Sequence, residues 1–375
     1  MRFLHTADLH LGPRLDYIQD PAHRARRRED FSRQADRLPD LVREHGAQVL
    51  LLAGDVFDRD LPAQPDAARL AAALAEVSIP VLVVPGTHDA WRPGGVWDRT
   101  WPSHVRVFRT GRWEVDVIGE TAFHALGSTG RPLPGAIFAG LGEAAAARHQ
   151  VGLVHASMLR ADIKERVDRK NHPFEEAELD GTFFDYLALG DHHRQRVVTR
   201  GRRVAAYPGS PEGLSFDPAE AGPRGMLLVD LQEPGEAPLV TTVGPTNARE
   251  ITLDSLDLSE LQQESAGDLA EAVRRRLKSL ARADRLLRFD LTGVLQHLLP
   301  LDVEQVAANL QEDFFALQVR DRTRTLPEGA GDESTVRGAF ERRLRARLES
   351  AAGEPERLLA ERALQVGLQA LEGLL

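Results

Sequence analysis

The sequence predicts an α/β protein, and three observations carry that expectation. Residues 1–245 alternate short apolar runs with polar, helix-like stretches. The runs are bounded by Gly, Pro and Asp and are apolar throughout, the pattern of strands buried on both faces. From Val105 to Tyr207 they crowd together with few helical stretches between, which predicts a mixed sheet or two stacked sheets.

Taken in order, strands are expected at Arg2–His5, Gln48–Ala53 and Pro80–Pro85, separated by helices over Arg24–Glu44 and Ala67–Val77. Further strands are expected at Ala136–Leu141, Gln150–His155, Tyr186–Gly190 and Gly225–Leu231. Gly244-Pro245-Thr246 marks a domain boundary, so residues 1–245 form the first domain. Residues 246–325 then read strand (Glu250–Leu253), helix, strand (Leu286–Leu291), helix (Val303–Leu310) and strand (Phe314–Val319). In the first of these helices Leu269, Val273, Leu277 and Leu280 make one apolar stripe. This small α+β unit of about eighty residues is near the lower end of domain sizes and able to fold against a larger neighbour. Leu326–Gly331 reads as a linker, and residues 326–375 form a helical tail. Its two helices carry the stripes Val336, Phe340, Leu344, Leu348 and Leu364, Leu368, Leu371, Leu375, broken at Gly353-Glu354-Pro355. With little of their own domain to cover, they are expected to dock a partner, or else to pack back on the second domain.

The 375 residues contain no cysteine, which excludes disulfides, thiolate-bound zinc and a cysteine nucleophile. Any metal must sit on His, Asp, Glu or neutral oxygen. No apolar run is long enough to cross a bilayer, and MRFLHTADLH reads as a strand without signal-peptide layout, so a cytoplasmic protein is expected. The net charge of −10 argues against nonspecific coating of nucleic acid, but metals and local arginines can still supply a positive field.

The chemistry lies in acid and histidine clusters placed directly after apolar runs. They are Asp8-Leu9-His10, Gly54-Asp55-Val56-Phe57-Asp58, Gly86-Thr87-His88-Asp89, Val154-His155 and Gly190-Asp191-His192-His193. Singly, each reads equally well as a cap or turn. Ligands in α/β sheets gather beyond the carboxyl ends of strands, so five such clusters in succession predict one convergent site. Carboxylates and imidazoles without sulfur fit manganese, iron, zinc or magnesium. Two such ions about 3.5–4 Å apart, bridged by a carboxylate, suit the grip on a phosphodiester.

The order D-x-H, GD-x-x-D, GNH[DE], VH and GHxH resembles the signature of the calcineurin-like metallophosphoesterases. FLHTADLHLG, LLLAGDVFD, DYLALGDHH and YPGSPEGLSFD (Tyr207–Asp217) are similar to the SbcD-type DNA repair nuclease branch. The motifs cover about residues 1–231; beyond them the likeness is one of layout. The resemblance implies a sandwich of mixed β-sheets flanked by helices, with a small capping domain and a helical tail. It implies that Asp8, His10 and His193 hold a first metal and that Asp55 bridges both. The second metal would take His155, Thr87 and Asp191. His88 matches the histidine that contacts phosphate and acts as general acid, with Asp89 its orienting partner. Two positions depart from the pattern: the family's asparagine is Thr87 here, and the first histidine of GHxH is Asp191. Both fall on the second metal.

Outside the clusters, His5 is expected to pack in or near its strand, and His192 to point away from the ligands beside it. His104, His124 and His297 have no cluster partners. Arg26, Arg27 and Arg28, within the basic run at residues 24–28, and Arg275, on the second domain's helix, are the candidate DNA-phosphate contacts. The reading reached is a two-metal, manganese-dependent DNA nuclease that uses water attack on phosphorus. The resemblance further implies exonuclease and endonuclease activity in double-strand-break repair, a homodimer, and an SbcC-like, SMC-type coiled-coil ATPase bound through the C-terminal helices. The rivals are a phosphodiesterase of small substrates such as cyclic nucleotides, and a weakly active scaffold that recruits the ATPase to DNA.

Overall fold

The computed structural model describes residues 1–59, 61, 64–133, 135–159, 171–259, 266–295, 303–325 and 335–371. The chain folds as two units, Met1–Ile251 and Thr252–Leu375. The first begins β1 (Arg2–Thr6), α1 (Pro21–Glu44), β2 (Val49–Ala53), α2 (Gln64–Glu76), β3 (Val81–Val84) and β4 (Val105–Val107). It continues β5 (Glu114–Ile118), β6 (Thr121–Leu126) and β7 (His149–His155), then the two-residue pair β8 (Met158–Leu159) and β9 (Phe174–Glu175). Last come β10 (Tyr186–Gly190), β11 (Arg196–Arg200), β12 (Arg203–Tyr207), β13 (Met226–Asp230) and β14 (Leu239–Val243).

These strands make two six-stranded mixed sheets, ordered β14-β13-β1-β2-β3-β4 and β11-β12-β10-β7-β6-β5. The central pairs β1–β2, β2–β3, β6–β7 and β7–β10 are parallel, and antiparallel strands sit towards the edges. The layering explains the unbroken apolar runs. Phe3, Val49, Leu51, Leu82 and Val84 face the other sheet, where Phe123, Val151, Leu153, Tyr186 and Ala188 meet them. The alternate residues Leu4, Leu50, Leu52, Val81 and Val83 lie with Ala35 and Leu38 of α1 and Leu70 and Leu74 of α2. Both faces of β2 are therefore core, and each of its leucines contributes about 1.5–3 kcal/mol by burial. Helix α1 starts cleanly: Asp20 caps it by accepting from the His23 amide at 2.6 Å, and Pro21 supplies a fixed first-turn φ.

One expected strand is absent. Ile137–Gly140 forms a short 3-10 turn in place of the run at Ala136–Leu141. Ile137 is buried there, the half-buried Phe138 ring stacks on Trp113 at 6.2 Å, and Ile137 O accepts from Trp113 Nε1 at 2.8 Å.

The second unit begins within β15 (Ile251–Asp257) and continues through α3 (Ala266–Leu280), β16 (Arg282–Thr292), β17 (Val294–Leu295), α4 (Val303–Ala308), β18 (Phe314–Asp321) and β19 (Arg324–Thr325). Its three-stranded sheet has the order β15-β16-β18, and β17 pairs with β19. Leu269, Val273 and Leu277 of α3 close over Leu287, Phe289, Leu291 and Phe314. The chain then forms α5 (Val336–Glu349) and α6 (Glu354–Leu371), which pack together where Phe340 faces Gly367. The apolar stripes are covered unevenly. Leu364 is buried, whereas Val336 is 77% exposed and Leu371 is also exposed. Leu375 and His297 lie outside the described residues. No helix among the described residues is long and apolar enough to cross a membrane.

Candidate metal centre

The loops after β1, β2, β3 and β10 carry Asp8, Asp55, His88 and Asp191, and His155 is the last residue of β7. The loops after β1 and β2 are zipped beyond their strands: Asp8 N donates to Gly54 O and His10 N to Asp55 O, each at 3.0 Å. Close approach requires glycine. A Cβ on Gly86 would lie 2.1 Å from Asp55 Oδ1, and one on Gly190 would lie 1.9 Å from Ala53 O. Asp8 (φ 54°), His10 (φ 45°), Asp55 (φ 47°) and Asp191 (φ 105°) all have positive φ. Such conformations cost about 1–3 kcal/mol each and cluster at functional sites.

Among the described residues three groups of ligand-type atoms result, one of them His10, Asp58 and His88. In the first, Asp8, His10 and His193 converge, with His10 Nε2 and His193 Nε2 3.2 Å apart. In the second, Asp8 and Asp55 converge with His155, whose Nε2 lies 3.3 Å from Asp55 Oδ2. His155 Nδ1 bonds Ala53 O at 3.0 Å, which leaves the buried Nε2 without a well-formed hydrogen bond. Face-to-face imidazole nitrogens and an orphaned one among carboxylates are donor atoms arranged around a cation. The set fits the oxygen- and nitrogen-preferring divalent ions.

The electrostatics agree. Burial pushes the Asp8 carboxyl up. Burial pushes Asp55 up as well, but the adjacent His155, His10 and His88 outweigh it and hold Asp55 below the usual carboxylate range. Burial would lower His155, yet Asp55, Asp8 and Asp191 raise it well above an ordinary histidine. His193 is likewise raised, to about 9, because Glu220 and Asp8 outweigh its burial. The centre therefore demands positive charge, which protons supply where no ion does.

The other expected residues surround these groups. Thr87 Oγ1 stands 3.5 Å from Asp55 Oδ2, and His88 N donates to Asp55 Oδ1 at 2.8 Å. The His88 ring is exposed, edge-on to His10 at 4.9 Å, with Nδ1 3.2 Å from Asp58 O. Asp191 sits at the margin: its carboxylate bonds Ser157 Oγ and Asn171 Nδ2 and comes only within 3.8 Å of His155 Nε2. Asp89, expected to orient His88, instead accepts from the amides of Gly86 (2.7 Å), Val56 (2.9 Å) and Phe57 (3.1 Å). It is buried under the loops it ties together, and burial followed by the charge of Asp55 raises it to about 6.

The remaining histidines divide as their surroundings dictate. His192 stacks on Tyr207 at 4.5 Å, and buried His5 bonds Tyr186 Oη at 2.9 Å. His124 bonds Gln150, and His104 bonds Leu74 O. Of the arginines, Arg26 and Arg275 are exposed, while Arg28 is tied to the carbonyls of Pro13 and Arg14. Arg27 is not a surface residue. It is fully buried and pairs with Glu212 at 2.6 Å, because an unpaired guanidinium could not enter that interior. Sequence reasoning assigned no role to Asp58, whose carboxylate lies 3.2 Å from His10 Nδ1, nor to Glu220, which holds His193 Nδ1. The second aspartate of GD-x-x-D pointed to Asp58; no spacing pointed to Glu220.

Residues 1–143 match the family model described as calcineurin-like phosphoesterase. The uncharacterized metallophosphoesterase YhaO of Bacillus subtilis is 28% identical over 246 residues, covering 61% of this chain and 57% of that protein. The DNA double-strand break repair protein Mre11 of Haloferax volcanii is 26% identical over 325 residues, covering 86% of this chain and 67% of that one. The DNA double-strand break repair protein Mre11 of Aeropyrum pernix is 25% identical over 318 residues, covering 80% and 72%. The chain thus spans little more than half the length of the first of these relatives and about two thirds or more of the other two.

Proposed function

We propose that this chain, whose residues 1–143 match the calcineurin-like phosphoesterase model, hydrolyses phosphate esters with metal, that the substrate is DNA and that the bond is a phosphodiester. The observation that carries the reading is the reach of the likeness to the Haloferax Mre11. It spans 86% of this chain, too much to end with the first unit. Asp8, His10 and His193 would hold one ion, with Asp55 shared, and His155, Thr87 and Asp191 the other. Bound there, divalent ions supply Lewis-acid polarisation of phosphoryl oxygens and a water of lowered pKa. The chain's own groups supply the rest. Exposed His88 is placed to protonate a leaving oxygen. Its amide bond to Asp55 fixes the loop that presents it. Arg26 and Arg275 are exposed for phosphate contact.

The test uses the full chain, stripped of metal and reloaded with manganese, on labelled single- and double-stranded DNA and on cyclic nucleotides. DNA cleavage that His88→Ala abolishes is the expected result. Hydrolysis of cyclic nucleotides without DNA cleavage would establish the small-substrate rival.

Thr87 and Asp191 set an expectation for the metal. Thr87 offers only a neutral hydroxyl, and Asp191 is drawn aside by Ser157 and Asn171, so the second ion should bind more weakly than the first. Asp191 also adds negative charge, which favours a hard ion such as manganese. Activity is expected to require manganese well above what occupies the first site, and Thr87→Asn to lower that requirement. Two ions retained through dialysis, with no change in Thr87→Asn, would refute the weakened site.

The exposed face of the tail supports a partner. Helix α6 exposes Leu358, Leu359, Val366 and Leu371. In this reading that surface binds a coiled-coil ATPase of the SMC type, and the nuclease works as a homodimer. Truncation after Leu326 is expected to spare activity on short DNA and to end co-purification with the ATPase. Unaltered co-purification would mean that the tail serves its own domain instead.

A further inference from the structure

We infer that Glu220 is a positioning residue for the metal centre, fixing the proton of His193 on Nδ1 so that Nε2 presents a lone pair beside Asp8 and His10; the inference rests on the metal-centre reading above. A neutral imidazole has one N–H, and the hydrogen bond made by one nitrogen decides what the other can do. His193 Nδ1 bonds Glu220 Oε1, and an ionised carboxylate only accepts. In the neutral ring the N–H is therefore at Nδ1, and Nε2, 3.2 Å from His10 Nε2, is free to ligate.

Glu220 is only 3% exposed and is itself held. Its Oε2 accepts from Ser210 Oγ at 3.0 Å and from the Leu214 amide at 3.2 Å, with the Arg224 guanidinium 3.7 Å away. Arg224 in turn bonds Ser210 O (2.9 Å), Ser210 Oγ (2.7 Å), Ala219 O (2.6 Å) and the carbonyl of His193 itself. One network thus grips the histidine at both ring and backbone. A buried charge is costly unless its partners satisfy it, and packing alone would not call for one here. The three histidines of the centre differ in this respect. His155 Nδ1 has a neutral carbonyl, and His10 Nδ1 has Asp58, whose side chain is 18% exposed. His193 has the buried carboxylate.

The test combines two readouts on wild type, Glu220→Gln and Glu220→Ala. The first is the ¹⁵N chemical shifts of His193 in metal-free protein above pH 9, where the ring is neutral, which report the tautomer directly. The second is manganese binding by calorimetry, with the melting temperature of the metal-free protein as a check on folding. Expected are an Nδ1–H tautomer in wild type, its loss in Glu220→Ala, and affinity for one of two ions lowered about 10–100-fold. Glu220→Gln keeps an acceptor oxygen and the shape, so it should fold and fall between. An Nε2–H tautomer in wild type overturns the inference, as does wild-type affinity in both variants. Equal weakening of both ions in step with a lowered melting temperature also overturns it, since that is the mark of a purely structural residue. Absence of manganese binding in wild type would instead sink the metal-centre reading, while the ¹⁵N shifts would still decide the tautomer.

Discussion

Asp55→Ala is expected to bind neither ion and to lose turnover by three or more orders of magnitude. Asp55 is buried in the group with Asp8 and His155, 3.3 Å from His155 Nε2 through Oδ2, and it accepts the His88 amide through Oδ1. Its removal takes away the carboxylate proposed to be shared by both ions and lets the His88 loop drift. Losses of about 10³-fold or more follow when groups that act as a unit lose a common member. His88→Ala should behave differently. It keeps the group of Asp8, His10 and His193 and the group of Asp8, Asp55 and His155, so metal content should be unchanged while turnover falls about 10²–10⁴-fold, the usual contribution of a general acid. Elemental analysis beside kcat for the two variants separates the roles. Full metal content in Asp55→Ala would overturn its assignment as the shared ligand.

The largest expected effect on stability is at Arg27. Its guanidinium, fully buried, bonds Glu212 at 2.6 Å and Gly213 O at 2.7 Å, with Asp30 at 3.4 Å. Arg27→Ala leaves the buried Glu212 without its cation, with Gln34 Nε2 and the Ala248 amide still donating to it. Burial already pushes that carboxyl up against the pull of Arg27. Breaking a buried pair from one side costs about 3–5 kcal/mol. In a unit of this size that is a fall in Tm of roughly 10 °C. Adding Glu212→Gln should recover part of the loss by removing the stranded charge. Wild-type melting with weakened DNA binding would restore the surface role that the basic run at residues 24–28 suggests.

Arg27 also shows where sequence reading stops. A run of arginines reports charge, but which of them is buried depends on Glu212, 185 residues away. The mixed-sheet fold was legible because strands covered on both faces must be apolar at every position, as Val49–Ala53 is. The clusters were legible because each follows such a strand directly and the parallel order brings those ends together. Hydrophobicity does not report pairing, so Ala136–Leu141 read as a strand, while Ile137–Gly140 is a 3-10 turn in which Ile137 is buried and Phe138 packs on Trp113. Asp89 was misread for a related reason. An acid next to a histidine in sequence need not face it, and here it turns inward to three amides. Glu220 was invisible because its partner is fixed by the closure of the loop after β12, which no local spacing records.

The left-handed backbone at Asp8, His10, Asp55 and Asp191 limits how this centre can be rewritten. Aspartate, asparagine and histidine are the side chains other than glycine that best tolerate that conformation. They are also the short oxygen and nitrogen donors that a compact divalent centre takes. The conformational alphabet and the coordination alphabet thus coincide at these four positions. Drift between Asp, Asn and His can proceed on an unaltered backbone, whereas a longer carboxylate or a β-branched donor would have to bend the chain before it could reach an ion. The centre is open to retuning among three letters and closed to the other ligating ones.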